Sequence, residues 1–185
     1  ECVKSVYDVF ENCSPAEYVA AIVMEPLQGE GGFIPAPIEF VKAVRKICDE
    51  KGILLIADEV QSGFGRTGKL FASEYWKENG CAPDIIATAK SIAGGVPLSA
   101  VIASKEVMDA VPGGTIGGTY GGNALACAAG LEVLKLMDEG GLVKRSQEIG
   151  KKVMAAFNEM KEKYEVVGDV RGLGAMIGVE FVKDK

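Results

Sequence analysis

Six consecutive nonpolar positions, residues 19–24 (VAAIVM), form the first decisive pattern in the chain, and Glu25-Pro26 ends it. A run of that length reads as a strand with both faces covered. Residues 28–32 (QGEGG) then read as a flexible loop. Between positions 37 and 51 the apolar residues Ile38, Val41, Val44, Ile47 and Cys48 recur at helical spacing. Gly52 supplies the stop. Residues 53–57 (ILLIA) make a second all-apolar strand. A strand, a helix and another such strand make a βαβ unit, hence a parallel sheet with helices on both faces.

Further along, residues 84–89 and 98–104 read as two more strands, and residues 123–137 as a long helix capped by Asn123. A second helix over 142–163 carries Ile149, Val153, Phe157, Met160 and Tyr164 on one face. Residues 166–170 and 175–182 read as strands split by Gly172 and Gly174. Near the start, Ser14-Pro15-Ala16-Glu17 has the form of a capping box after an amphipathic N-terminal piece. The predicted fold is α/β, with a mainly parallel sheet in a large domain over residues 1–140. The start of a smaller α+β domain follows over 141–185, after Gly140-Gly141.

Composition narrows the chemistry. The 185 residues include no histidine, which removes Ser-His-Asp triads, His-ligated zinc and His acid–base catalysis together. A net charge of −6 without a basic block argues against nucleic acid or an anionic membrane as partner. No apolar stretch is long enough to span a bilayer. Glu1 is not an initiator methionine and no charged-then-apolar leader follows it, so no secretory signal is expected. Cys2, Cys13, Cys48, Cys81 and Cys127 are scattered without a Cys-x-x-Cys pair, as expected for reduced, mostly buried thiols of a cytoplasmic protein. No metal site is expected.

Three stretches carry candidate chemistry. Gly63-Phe64-Gly65-Arg66-Thr67-Gly68 matches the G-x-G-x-x-G pattern and, with Lys69, nearly matches a phosphate loop. Leu70 stands where that loop needs a hydroxyl for Mg²⁺, so a tight surface turn is the better reading. Asp58 follows a buried strand, at the edge where parallel sheets bind ligands. Viewed alone it could equally cap a local amide. Lys90 likewise follows the apolar run Ile85-Ile86-Ala87 and precedes Gly94-Gly95. A lone lysine there would ordinarily snorkel to solvent, whereas burial would make its amine nucleophilic. Together the two groups suit pyridoxal phosphate, which needs a lysine for its aldehyde and a carboxylate to keep its pyridine nitrogen protonated. A simple Asp–Lys ion pair explains the same constellation.

Four ordered motifs go further. Glu25-Pro26-Leu27-Gln28-Gly29-Glu30-Gly31-Gly32, Asp58-Glu59-Val60-Gln61-Ser62-Gly63-Phe64-Gly65-Arg66-Thr67-Gly68, Ala89-Lys90-Ser91-Ile92-Ala93-Gly94-Gly95 and Gly117-Gly118-Thr119-Tyr120-Gly121-Gly122-Asn123 closely resemble class III pyridoxal-phosphate aminotransferases. Val170-Arg171-Gly172-Leu173-Gly174 follows where that family's smaller domain begins, and the wording most resembles the 4-aminobutyrate type. The resemblance implies the large-domain part of the fold type I pyridoxal-phosphate enzymes. It implies Lys90 as the Schiff-base lysine and proton shuttle, Asp58 against the pyridinium nitrogen, Val60 on one ring face and Gln61 on the phenolic oxygen. Thr119 would reach the phosphate of the neighbouring subunit of a homodimer, and Glu30 would pair with a substrate-gating arginine. Glu25 would stand behind the contact residues, and Arg66 and Arg171 would be structural. The implied reaction passes an amino group from an ω-amino acid such as 4-aminobutyrate to 2-oxoglutarate, so small amino and keto acids are the expected partners. The family's phosphate turn and stacking aromatic would precede Glu1, and its gating arginine would follow Lys185. The 185 residues by themselves are therefore expected to bind cofactor weakly and not to transaminate. An amino-acid racemase or epimerase of the same fold is the nearest alternative. A phosphate-loop nucleotide-binding protein and a non-catalytic interaction domain are more distant ones.

Overall fold

The computed structural model describes residues 1–115 and 117–184. Its elements in chain order are α1 (Cys2–Asn12), β1 (Ala21–Met24), β2 (Leu27–Gln28), β3 (Ile34–Pro35), α2 (Ile38–Lys51), β4 (Leu54–Asp58), α3 (Glu74–Lys77), β5 (Ile85–Thr88), β6 (Ala100–Ala103), α4 (Lys105–Asp109), α5 (Ala124–Glu139), α6 (Leu142–Lys163), β7 (Val167–Leu173) and β8 (Met176–Phe181). The main sheet has the order β1-β4-β5-β6. Its first three strands run parallel, and β6 closes the edge antiparallel to β5. The expected α/β fold with a mainly parallel sheet is therefore the one observed, and the C-terminal strands form a separate hairpin.

Alternation along β4 explains how the sheet is covered. Leu55 and Ala57 are fully buried against Val41, Val44 and Cys48 of α2, together with Trp76 and Cys81. Ile22 and Met24 pair with Leu55 and Ala57 and share that face. Leu54, Ile56 and Asp58 point the other way. That second face is the more open one, since Val23 in register with Ile56 is 61% exposed. A second apolar cluster gathers Phe64, Ile92 and Ala93 under Ala129, Val133 and Met137 of α5.

The helix boundaries follow local signals. Gly52 ends α2 in a left-handed conformation at φ 67°, and the Asn123 side chain accepts the Ala126 N–H at 3.1 Å to start α5. The expected capping box does not form. Ala16–Tyr18 is a single 3₁₀ turn with no side-chain cap bond, because the apolar run beginning at Val19 draws the chain into extended structure before a helix can propagate. Gly172 does not split the last strands either. β7 continues through it to Leu173, which pairs with Met176 across a two-residue turn, Gly174-Ala175. Of the five free thiols only Cys48 and Cys81 are buried; Cys2 and Cys13 are exposed. The expectation of mostly buried thiols fails because Cys2 and Cys13 lie in and just after α1, which buries no residue.

Candidate functional site

The parallel pairing of β4 and β5 brings the two chemically distinctive strand ends to one edge. Asp58 is in register with Ala87, so their side chains share the open face of the sheet, and Lys90 follows three residues later. Glu59 N–H bonds the Ala87 carbonyl at 2.8 Å and prolongs the pairing past the strand. Beyond Thr88 the chain turns sharply. Lys90 opens a 3₁₀ turn, Lys90–Ala93, with its own backbone at φ 48°. A left-handed non-glycine residue costs about 1–3 kcal/mol and persists only where surroundings impose it. The strain therefore sits on Lys90 itself.

Lys90 opens into a cavity of about 250 Å³. Gln61 and Arg66 supply its polar wall, and Phe33, Ala175, Met176 and Ile177 its apolar wall. No carboxylate neutralises Lys90 or Arg66 among the described residues, so the ion-pair explanation of the Asp58–Lys90 constellation does not hold. Asp58 uses one carboxylate oxygen on the Val60 N–H at 3.0 Å and keeps the other uncommitted among the described residues. Arg66 donates from Nε to Ser91 Oγ at 3.2 Å. Lys90 is exposed, not buried.

The remaining predicted residues fall in two groups. Gln61 and the loop carrying Glu30 lie together: a Cβ on Gly29 would stand 1.7 Å from Gln61 Oε1, so only glycine leaves the amide its place. The Gly29 N–H is held by the Glu25 carboxylate at 2.8 Å, and Arg171 Nε donates to the Gly32 carbonyl at 2.9 Å. Glu30 itself is exposed and has no ionic partner among the described residues. Val60 is half-buried. Thr119 stands apart, exposed in a separate concavity with Pro97, Leu98 and Ser99.

The glycine pattern at 63–68 is not a surface turn. Every residue of it except Arg66 is buried. Its three glycine amides are spent internally, Gly63 N–H on Glu59 O, Gly65 N–H on Leu70 O and Gly68 N–H on Gly65 O. Lys69 pairs with Glu78. No helix starts at Gly68, so the helix N-terminus on which a phosphate loop relies is missing. The turn is buried because the C-terminal hairpin and α6 both seat on it: Ala175 N–H from the hairpin and Ser146 Oγ from α6 donate to the Arg66 carbonyl, and Gln147 of α6 donates to the Gly68 carbonyl.

Sequence reasoning passed over Glu59. Its carboxylate is fully buried and accepts from Ser62 Oγ at 2.6 Å, Ala72 N–H at 3.1 Å and Ser73 N–H at 2.5 Å. It ties the segment after Asp58 back onto itself and so holds Asp58 and Gln61 in place. The signal was present, an acidic residue beside Asp58, but only the fold shows which of the two carboxylates faces inward.

Solved enzymes share this arrangement of elements. An amine transaminase from an uncultivated Pseudomonas species, in a PLP-bound (internal aldimine) form, superposes with a TM-score of 0.89 at 38% identity, covering 100% of this chain and 42% of its own. The chain belongs to the class III aminotransferase family, whose model matches residues 1–185. It is 51% identical over 180 residues to the 5-aminovalerate aminotransferase DavT of Pseudomonas putida, covering 97% of this chain. It is 50% identical over 184 residues to the 4-aminobutyrate aminotransferase GabT of Escherichia coli, covering 100%. It is also 46% identical over 185 residues to a leucine/methionine racemase of Thermococcus litoralis, again covering 100%. The chain spans only 42%, 42% and 41% of these three relatives respectively. No helix among the described residues is long and apolar enough to cross a membrane.

Proposed function

We propose that the complete protein is a pyridoxal-phosphate aminotransferase that takes the amino group of an ω-amino acid, 4-aminobutyrate or its five-carbon homologue, and gives it to 2-oxoglutarate. The observation that supports this most is the register of Asp58 with Ala87, which sets a half-committed carboxylate beside the strand end from which Lys90 opens into its cavity. The residues suit the cofactor: among those described, an amine with no counter-ion, a carboxylate with an uncommitted oxygen, and an amide given its place by the absence of a Cβ on Gly29.

Pyridoxal phosphate supplies the electron sink. Lys90 would hold the cofactor through Nζ and, when released by the incoming substrate amine, would take up and return the proton exchanged at the substrate carbon. Asp58 would keep the pyridine nitrogen protonated, Gln61 would bond the phenolic oxygen, and Val60 would pack on one ring face. Thr119 serves the phosphate of a neighbouring subunit in a homodimer, in keeping with its distance from this chain's own cavity. Glu30 neutralises a gating arginine contributed by the rest of the protein, so that one site accepts substrates with and without a second carboxylate. We place the large domain at residues 1–140 and the start of the small one at 141–185, in an enzyme of the cytoplasm whose five cysteines stay free.

Replacing Lys90 with Ala in the complete protein is expected to remove both the protein-bound cofactor's absorption band and turnover. Normal turnover in that variant would sink the assignment. The match to a racemase supports a second reading, amino-acid racemisation at the same lysine. Incubation with one enantiomer and no keto acid separates the two: racemisation favours the second, and a stalled half-reaction favours transamination.

A further inference from the structure

Only three non-glycine residues among those described have a left-handed backbone, Phe33 at φ 51°, Phe64 at φ 57° and Lys90 at φ 48°. Two of them, Phe33 and Lys90, line the same cavity. Phe64 is core, buried under α5. A phenylalanine gains nothing locally from that conformation, so the surroundings must impose it on Phe33. They do so from two sides. Arg171 Nε holds the preceding carbonyl, Gly32 O, at 2.9 Å, and its guanidinium is fixed in turn by Asp169 at 3.0 Å and Glu180 at 2.7 Å. Beneath, β8 approaches so closely that a Cβ on Gly178 would lie 3.0 Å from Gly32 O and 3.3 Å from Phe33 Cβ. The hairpin thus pins the loop and turns Phe33 toward the wall that Met176 and Ile177 complete.

We infer that Phe33 is a specificity-determining wall of the Lys90 cavity and that Arg171 is the residue that positions it. The inference rests on the aminotransferase reading above. An apolar wall facing the Arg66 guanidinium suits a short aliphatic chain with a carboxylate, and the ring of Phe33 limits how long that chain can be. A hydrophobic pocket discriminates one methylene by roughly tenfold or more.

The test uses the complete, cofactor-loaded protein and amino donors of four, five and six carbons. Kinetics are paired with calorimetric binding of butanoate, pentanoate and hexanoate, which carry no amine to react. Phe33→Gly is the informative variant, because glycine accepts the left-handed backbone without strain. Its melting temperature should not fall. Its preference for the six-carbon over the four-carbon donor should rise about tenfold, and hexanoate should gain on butanoate in the calorimeter. Phe33→Leu should keep the parent's order of preference. Arg171→Lys should shift the profile in the same direction through KM, with kcat unchanged; a merely structural arginine would lower kcat and melting temperature together for all donors. An intact cofactor band with the parent's chain-length profile in Phe33→Gly overturns the inference alone. A parent protein with no Lys90-dependent band overturns the aminotransferase reading and the inference with it.

Discussion

Two glycine-rich segments of similar composition, residues 63–68 and 117–122, have opposite fates. The first is buried except at Arg66, its glycine amides are internally bonded, and the C-terminal hairpin is pressed onto it so closely that a Cβ on Gly174 would lie 2.3 Å from the Thr67 carbonyl carbon and 2.5 Å from the Gly68 nitrogen. The second is exposed: Tyr120 is 84% accessible, and a Cβ on Gly117, Gly118 or Gly122 would meet nothing within 4 Å. In the first segment Gly63 answers a close approach of the Glu59 carbonyl, and Gly65 and Gly68 a left-handed backbone against packed side chains; in the second only Gly121, 3.2 Å from the Gly118 carbonyl, and the left-handed Gly122 answer any demand of this chain. The difference teaches that the first segment is completed by the chain's own fold, whereas the second presents Thr119 outward, where our proposal puts another subunit.

Substitutions can break that comparison. Gly174→Ala should have the largest effect. Its left-handed backbone at φ 52° and the contact with backbone atoms leave no side chain to yield, so a loss of at least about 3 kcal/mol is expected in denaturant unfolding. An unchanged midpoint would show that the hairpin is not seated on residues 63–68. Glu59→Gln should come next. It keeps the volume but puts an amide donor against groups that are themselves donors, Ser62 Oγ–H and two backbone N–H groups, for a cost of about 2 kcal/mol. Stability equal to the parent's would mean the Glu59 contacts do not organise the segment after Asp58. Gly118→Ala should have the smallest effect on folding, within about 0.5 kcal/mol, as for open surface positions. A large loss there would mean that segment is packed after all.

Much of the architecture was legible in the sequence because strong periodicity leaves few alternatives. The uninterrupted run at 53–57 read as a strand, although only its Leu55 and Ala57 face is fully covered, and the helical spacing at 38–48 with Gly52 behind it bounded α2 closely. Asn123 named its own helix start. The capping box at 14–17 was misleading because a local signal of a few residues competes poorly with an adjoining apolar run that must enter the sheet. The glycine pattern at 63–68 was misplaced on the surface for a related reason: glycine marks tight backbone, and nothing local distinguishes a turn facing water from one facing another loop. Of the candidate site, Asp58, Gln61 and Lys90 were identifiable from strand ends and motif, whereas Glu59, Phe33 and Arg171 were not. Their roles depend on which side of a strand end faces inward, on a backbone angle, and on a carbonyl brought near from a distant part of the chain.

Hydrophobic order along the chain pointed to a mainly parallel sheet with an acid and an amine at its carboxyl edge, since two apolar runs joined by an amphipathic helix bury well as a βαβ unit. Tertiary contact alone decided that Lys90 and Asp58 stay unpaired, that Phe33 shares a cavity with the lysine, and that the last hairpin clamps the loop before it. Those outcomes arise between residues scores of positions apart, where distance and direction are set by packing and leave no mark on local sequence.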